Sequence, residues 1–211
     1  MLEILPLFPL QLVVFTNENL NLHIFEPRYK QLLNEAEQEG ITFGIPAFID
    51  GKLMNFGTEV ELLKVADRAE DGKLNVKTRG IGVFEMREFF QVLPDKLYGG
   101  GKVERLNDES VGDLERNDVI LAHVQKLFSV LKIDKDIPEN SIHFRVFDMG
   151  HHVGFSLKQE YQFLCLRSEV ERQEFMLAHL KRLIPIVDEM EQLKERVRMN
   201  GHFKNLKPPN F

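Results

Sequence analysis

Three histidines, His143, His151 and His152, lie close together in the chain, and three imidazoles are a donor set that suits zinc. Their spacing works against it. His151 and His152 are adjacent, and on a helix adjacent side chains diverge by about 100° instead of converging on one ion. They read as a helix C-terminus, where imidazolium meets the negative end of the dipole. His179 reads as a surface or boundary residue of a long helix. Cys165, the single cysteine, lies in the apolar run Tyr161–Leu166 and reads as a small buried hydrophobe. One thiol excludes an internal disulfide and a thiolate zinc site, and suits a reducing compartment.

Ser110, Ser129, Ser141, Ser156 and Ser168 lack the strand-turn-helix setting of a nucleophile. Two of them begin capping boxes, Ser156 with Gln159 and Ser168 with Glu171. Gly51-Lys52, Gly72-Lys73 and Gly101-Lys102 are followed by Leu, Leu and Val, and none has the upstream glycine of a phosphate-binding loop. Gly99-Gly100-Gly101 sits between strand-like runs and reads as a turn or bulge. These residues assemble no catalytic constellation, so the expectation is a non-enzyme with no cofactor and no metal.

Charge narrows the partners. The formal net charge is −6, with 12 Lys/Arg against 18 Asp/Glu in residues 1–110 and 15 of each in residues 111–211. A nucleic-acid binder usually shows a basic stripe, so the balance argues against RNA or DNA. The opening MLEILPLFPLQLVVF is apolar but carries Glu3, Pro6 and Pro9 and no basic leader, unlike a signal peptide. No window approaches the roughly 20 apolar residues of a membrane span. The default location is the cytoplasm. With 17 Phe, 3 Tyr and no Trp, the aromatic content favours dry packing over a polar-tipped cage.

Before residue 110 the apolar runs are short and punctuated. Strands are expected at Ile4–Phe8, Leu12–Phe15, Leu20–Phe25, Phe43–Ile49, Thr58–Ala66, Leu74–Arg79, Val83–Val92 and Gly101–Leu106, with one helix from Pro27 to about Glu39. Asp71-Gly72 marks a hairpin. Many short strands around one helix suggest a small mixed barrel. Thereafter the period is helical: Leu114 to Leu131, Pro138 to Phe147, and a longest helix from about Glu169 to Met199, kinked by Pro185 and stopped at Asn200-Gly201. Three parts are therefore expected: a β-rich subdomain at 1–110, a helical bundle at 111–201 and a flexible tail at 202–211.

One corner ties strand to helix. In Phe25-Glu26-Pro27-Arg28-Tyr29, Pro27 suits the first helical position, where its missing N–H costs nothing. Glu26 is placed to accept orphan N–H groups at the helix mouth, Arg28 to meet a carboxylate of another strand, and Tyr29 to pack its ring. The stretch LPLFPLQLVVFTNENLNLHIFEPRYKQLL, with GTEVELLKV at Gly57–Val65 and DGKLNVKTRGIGVFEM at Asp71–Met86, resembles the Lon protease N-terminal (substrate-binding) domain family, in its stand-alone form. Where that family usually has Pro-Gly, this chain has Thr16-Asn17, and a usual basic residue is Val83.

The resemblance implies an α+β fold: a PUA-like mixed pseudo-β-barrel followed by a C-terminal α-helical bundle with a long kinked last helix. It also implies a non-catalytic module that binds unfolded or extended polypeptide, or a partner protein of a proteolytic system. Phe89 and Phe90 are adjacent in a strand, so one must point away from the core, and with Tyr98 nearby they are the candidate peptide-binding surface. A small-ligand or RNA-binding module of the same architecture is the alternative.

Overall fold

The computed structural model describes residues 2–69, 72–107, 111–138, 141–142 and 144–203. Two compact units result: Met1–Val111 with Arg145–Glu169, and Gly112–Phe144 with Val170–Phe211. The fold is α+β. Its strands are β1 (Glu3–Pro6), β2 (Asn19–Ile24), β3 (Phe43–Ile49), β4 (Lys52–Arg68), β5 (Leu74–Phe90) and β6 (Gly100–Arg105). Its helices are α1 (Pro27–Glu39), α2 (Leu114–Leu131), α3 (Leu157–Leu164) and α4 (Glu169–Phe203).

In the first unit the strands run antiparallel in the order β1-β6-β5-β4-β3, and parallel bridges Leu7↔Gly44 and Leu10↔Ala47 return the chain after β1 to β3. That return closes the sheet into a pseudo-barrel, which removes the open edges that β1 and β3 would otherwise present. The seam admits no side chain at Gly44, where a Cβ would lie 2.6 Å from the Phe84 ring and 2.7 Å from Leu7. Inside, Phe8 stacks on Tyr29 at 3.9 Å, and Leu32 and Leu33 of α1 are fully buried against the same cluster.

Sequence expectations and structure diverge where burial overrides period. Leu12–Phe15 forms no strand: Val13, Val14 and Phe15 are buried in succession, which a regular strand cannot do because neighbours face opposite sides. Leu74–Arg79 and Val83–Val92 fuse into the single strand β5, since Gly80 and Gly82 let it bend through a register shift without breaking. Asn17 adopts φ 64°, a left-handed conformation Asn tolerates better than most residues. Its N–H donates to the Gly80 carbonyl (2.8 Å), and the Gly80 N–H donates to the Glu18 carbonyl (2.9 Å).

Segment Arg145–Glu169, expected to go with the helices, belongs to the strand-bearing unit. Phenylalanines place it there: Phe15 stacks on Phe147 at 5.0 Å, and Phe163 meets both edge-on at 5.6 and 5.3 Å. The capping box forms as expected, with Ser156 N–H donating to Gln159 (2.9 Å) and Gln159 N–H donating to the Ser156 hydroxyl (3.4 Å).

In the second unit α2 begins on Asp113, whose carboxylate accepts from the Glu115 and Arg116 N–H groups at 3.0 and 3.3 Å. The helix expected at Pro138–Phe147 is not seen among the described residues of that range; a 3-10 turn at Val146–Met149, in the first unit, ends it. The Asn117 side-chain amide takes the carbonyls of Ser141 and Phe144, both at 3.2 Å, so a side chain rather than a helical ladder satisfies that backbone. Positions 139, 140 and 143 lie outside the described residues. Helix α4 continues through Pro185, which is exposed, and past the stop expected at Asn200-Gly201. An exposed proline leaves the freed carbonyl to water, which lets the helix pass. His179 is buried on this helix, not at its surface. Of the expected flexible tail, His202 and Phe203 belong to α4; 204–211 lie outside the described residues. Among the described residues no helix is long and apolar enough to cross a membrane.

Candidate functional site

Strand β2 alternates: Leu22 and Ile24 point into the core while Asn21 and His23 face outward. Among the described residues it pairs with β5 alone, from Asn19↔Arg79 to Ile24↔Leu74. One edge of β2 thus has no strand neighbour. Across the pair His23 Nδ1 lies 2.8 Å from Asn75 Oδ1, and a shallow groove of about 320 Å³ runs beside Asn21, His23, Ala66 and Lys77.

The start of β2 walls a larger cleft, of about 640 Å³. Leu12, Val13, Leu20 and Phe147 are its apolar lining, and Thr16, Asn17, Glu18, Asn19, Asp148, His151 and His152 its polar lining. His151 is held at both ring nitrogens, with Nε2 3.1 Å from Glu18 Oε2 and Nδ1 2.7 Å from Glu160 Oε1. Ionised carboxylates only accept hydrogen bonds, so both ring nitrogens must carry protons and the ring is an imidazolium. Burial opposes that charge, but the bonds and charges of Glu18 and Glu160 outweigh it and push the pKa up to about 9. Glu18 Oε2 also accepts from the Phe15 N–H at 2.8 Å. Burial raises the Asp148 carboxyl, against the Arg145 N–H that donates to it. The cleft therefore joins an apolar lining to two carboxylates, Glu18 and Asp148, and the charged His151. Among the described residues the buried Thr16 hydroxyl has no hydrogen-bond partner.

Sequence reading did not pair these groups. It placed His151 at a helix end, and Glu18, 133 residues away, carries no motif to join them. Among the described residues no three His, Cys, Asp or Glu side chains group to hold a metal ion; His143 lies outside them. Cys165 is half-buried, and burial pushes its thiol up to about 11, which keeps it protonated and a poor nucleophile.

The aromatic candidates separate. Phe89 is 44% exposed. Phe90, on the opposite face of β5, is half-buried with Lys102 Nζ 5.6 Å above its ring, and Lys102 is paired to Glu88 at 2.6 Å. Tyr98 does not join them at the surface. It is 2% exposed, in the core cluster, and its hydroxyl donates to Glu35, which also holds Lys96 at 2.8 Å. A phenol that packs its ring inside and bonds a half-covered carboxylate has no face left for a partner.

At the corner, Pro27 takes the first helical position and Tyr29 is buried against Phe8, as expected. Glu26 caps differently: its carbonyl accepts from the Tyr29 and Lys30 N–H groups (3.1 and 3.0 Å), while its carboxylate makes no cap bond and pairs with Arg28 at 2.8 Å. Arg28 is thereby spent within the corner, not on another strand, and its guanidinium lies 4.5 Å from the Tyr29 ring centre. Phe25 is left exposed beside His23.

A family profile for the ATP-dependent protease La (LON) substrate-binding domain matches residues 4–182. Among solved structures the fold is similar to a Lon N-terminal domain protein from Xanthomonas campestris, with a TM-score of 0.64 and 24% identity over 83% of this chain and 98% of that one. It is also similar to the N-terminal domain of the Mycobacterium avium complex Lon protease, with a TM-score of 0.62 and 14% identity over 85% and 98%. At these identities the two structures speak for the fold alone. No curated protein matches the chain.

Proposed function

The chain belongs to the Lon substrate-binding domain family, and from that premise we propose that it is a non-catalytic module that binds extended polypeptide, either an unfolded client or a segment of a partner in a proteolytic system. The observation that carries the reading is the one-sided pairing of β2 beside the 640 Å³ cleft. A strand with a free edge offers main-chain donors and acceptors to an extended peptide, and an adjacent pocket accepts alternate side chains. The cleft's apolar lining suits an aliphatic or aromatic side chain, and its carboxylates Glu18 and Asp148 favour neutral or basic flanks while opposing nucleic-acid phosphates. Exposed Phe89 supplies a second apolar contact. The cytoplasm is the setting we assign to it.

The test is retention by the immobilised full chain of a denatured polypeptide against the same polypeptide folded. Preferential capture of the denatured form, reduced by Asn19→Arg at the cleft rim, supports the reading. Equal capture of both forms, or capture indifferent to Asn19→Arg and to Phe89→Ser alike, would overturn it.

A further inference from the structure

Helix α4 carries two apolar stripes. Met176, Leu180 and Ile184 are buried in the core of the helical unit. Further along, Ile186, Met190, Leu193 and Val197 are 52, 54, 60 and 64% exposed, stepping by 4, 3 and 4 residues. At about 100° per residue the exposed stripe is centred roughly 110° around the helix from the buried one, with half-buried Leu183 and Val187 between them. It also lies beyond residue 182, where the family match ends.

We infer that this exposed stripe is a self-association seam, packing α4 against the same helix of a second copy of the chain. In heptad terms Met190 and Val197 take a, and Ile186 and Leu193 take d. The flanks carry exposed Glu189 and Arg196 at g and exposed Lys194 at e, with half-buried Val187 at the other e. In a parallel pair Glu189 falls opposite the second copy's Lys194, five residues on; in an antiparallel pair it falls opposite the second copy's Arg196. Either arrangement sets acid against base twice and opposes no like charges at these positions, which is why a second copy fits better than an unrelated apolar surface. Within one chain Lys194 pairs with Glu191, Gln192 with Asp188 and Lys132 with Glu195. None of the six stands at a or d, so the stripe stays open; in the parallel pair Lys194 exchanges Glu191 for the second copy's Glu189. Two heptads make a short seam, so the pair forms reversibly with concentration.

Sedimentation equilibrium of the full chain tests this, from about 1 to about 300 µM, a range suited to weak pairing. The mean mass should rise toward twice the monomer. Leu193→Asp should raise the midpoint concentration about 100-fold, by removing one buried leucine from each copy. Arg198→Asp, off the stripe, should leave it in place. Glu189→Lys should weaken pairing, and adding Lys194→Glu or Arg196→Glu should restore it, the first if the helices are parallel and the second if antiparallel. Unchanged helicity by circular dichroism confirms that each variant is folded. A single monomeric mass throughout, a midpoint unmoved by Leu193→Asp, or a Glu189→Lys loss that neither second substitution restores would overturn the inference.

Discussion

His151 lies between Glu18 and Glu160, 3.1 and 2.7 Å from their carboxylate oxygens, and so links the turn before β2 to α3. Both contacts hold together only while the ring is charged, since a neutral imidazole has one N–H to donate. Its folded pKa is raised to about 9 from 6.5, so the stabilisation is fully present below pH 6.5 and is lost as pH rises through about 9. Denaturant unfolding of wild type and His151→Gln between pH 6 and 9.5 should show a difference of roughly 2–3 kcal/mol at the acid end that shrinks toward the alkaline end. A difference that stays constant with pH would refute the linkage.

Arg105 on β6 reaches past β5 to Glu59 on β4, with Nε 2.5 Å and Nη2 3.0 Å from its carboxylate oxygens. Glu59 is 5% exposed, and burial, which opposes its charge, is outweighed by Arg105 and Thr42, so its pKa falls below the usual range. Arg105→Met should cost roughly 1–3 kcal/mol, because it strands a buried carboxylate. Arg79→Met, which breaks only the exposed pair with Glu61, should cost less than about 1 kcal/mol. Chemical denaturation of both variants at pH 7 makes the comparison. Equal losses would mean the burial of Glu59 is irrelevant.

Gly44→Ala drives a methyl into Phe84 and Leu7 at the barrel seam. Overpacking of this kind costs about 1–3 kcal/mol, and the thermal midpoint should fall accordingly. An unchanged midpoint would show that the seam gives way.

Asn17→Gly should be neutral or stabilising by up to about 1 kcal/mol, and Asn17→Val should be clearly destabilising, because φ 64° is open to glycine and strained for a β-branched residue. Thermal melts of the two variants decide the point. The opposite ranking would show that the Asn17 side chain, not its backbone, matters there.

Phe89→Ser should leave the denaturation midpoint within about 0.5 kcal/mol of wild type while lowering retention of denatured polypeptide. Phe90→Ser, under Lys102, should lose stability instead. If Phe90→Ser lowers retention at full stability, the contact surface lies on the other face of β5.

What the sequence determined by itself was local. Apolar period and Pro27 set α1 at Pro27–Glu39, and β3 at Phe43–Ile49 and α2 at Leu114–Leu131 also fall where their residues place them. Each such element answers to neighbours within a few residues, and so did the family likeness, which rests on contiguous motifs. Contacts between distant segments were decided by the tertiary structure. Phe15, Phe147 and Phe163 draw Arg145–Glu169 into the strand-bearing unit, and Glu35 takes the hydroxyl of Tyr98 and turns a candidate contact residue into core. Glu18 and Glu160 meet on one imidazole. Burial and long-range charge pairing act through space, and a sequence states neither until the chain has closed on itself.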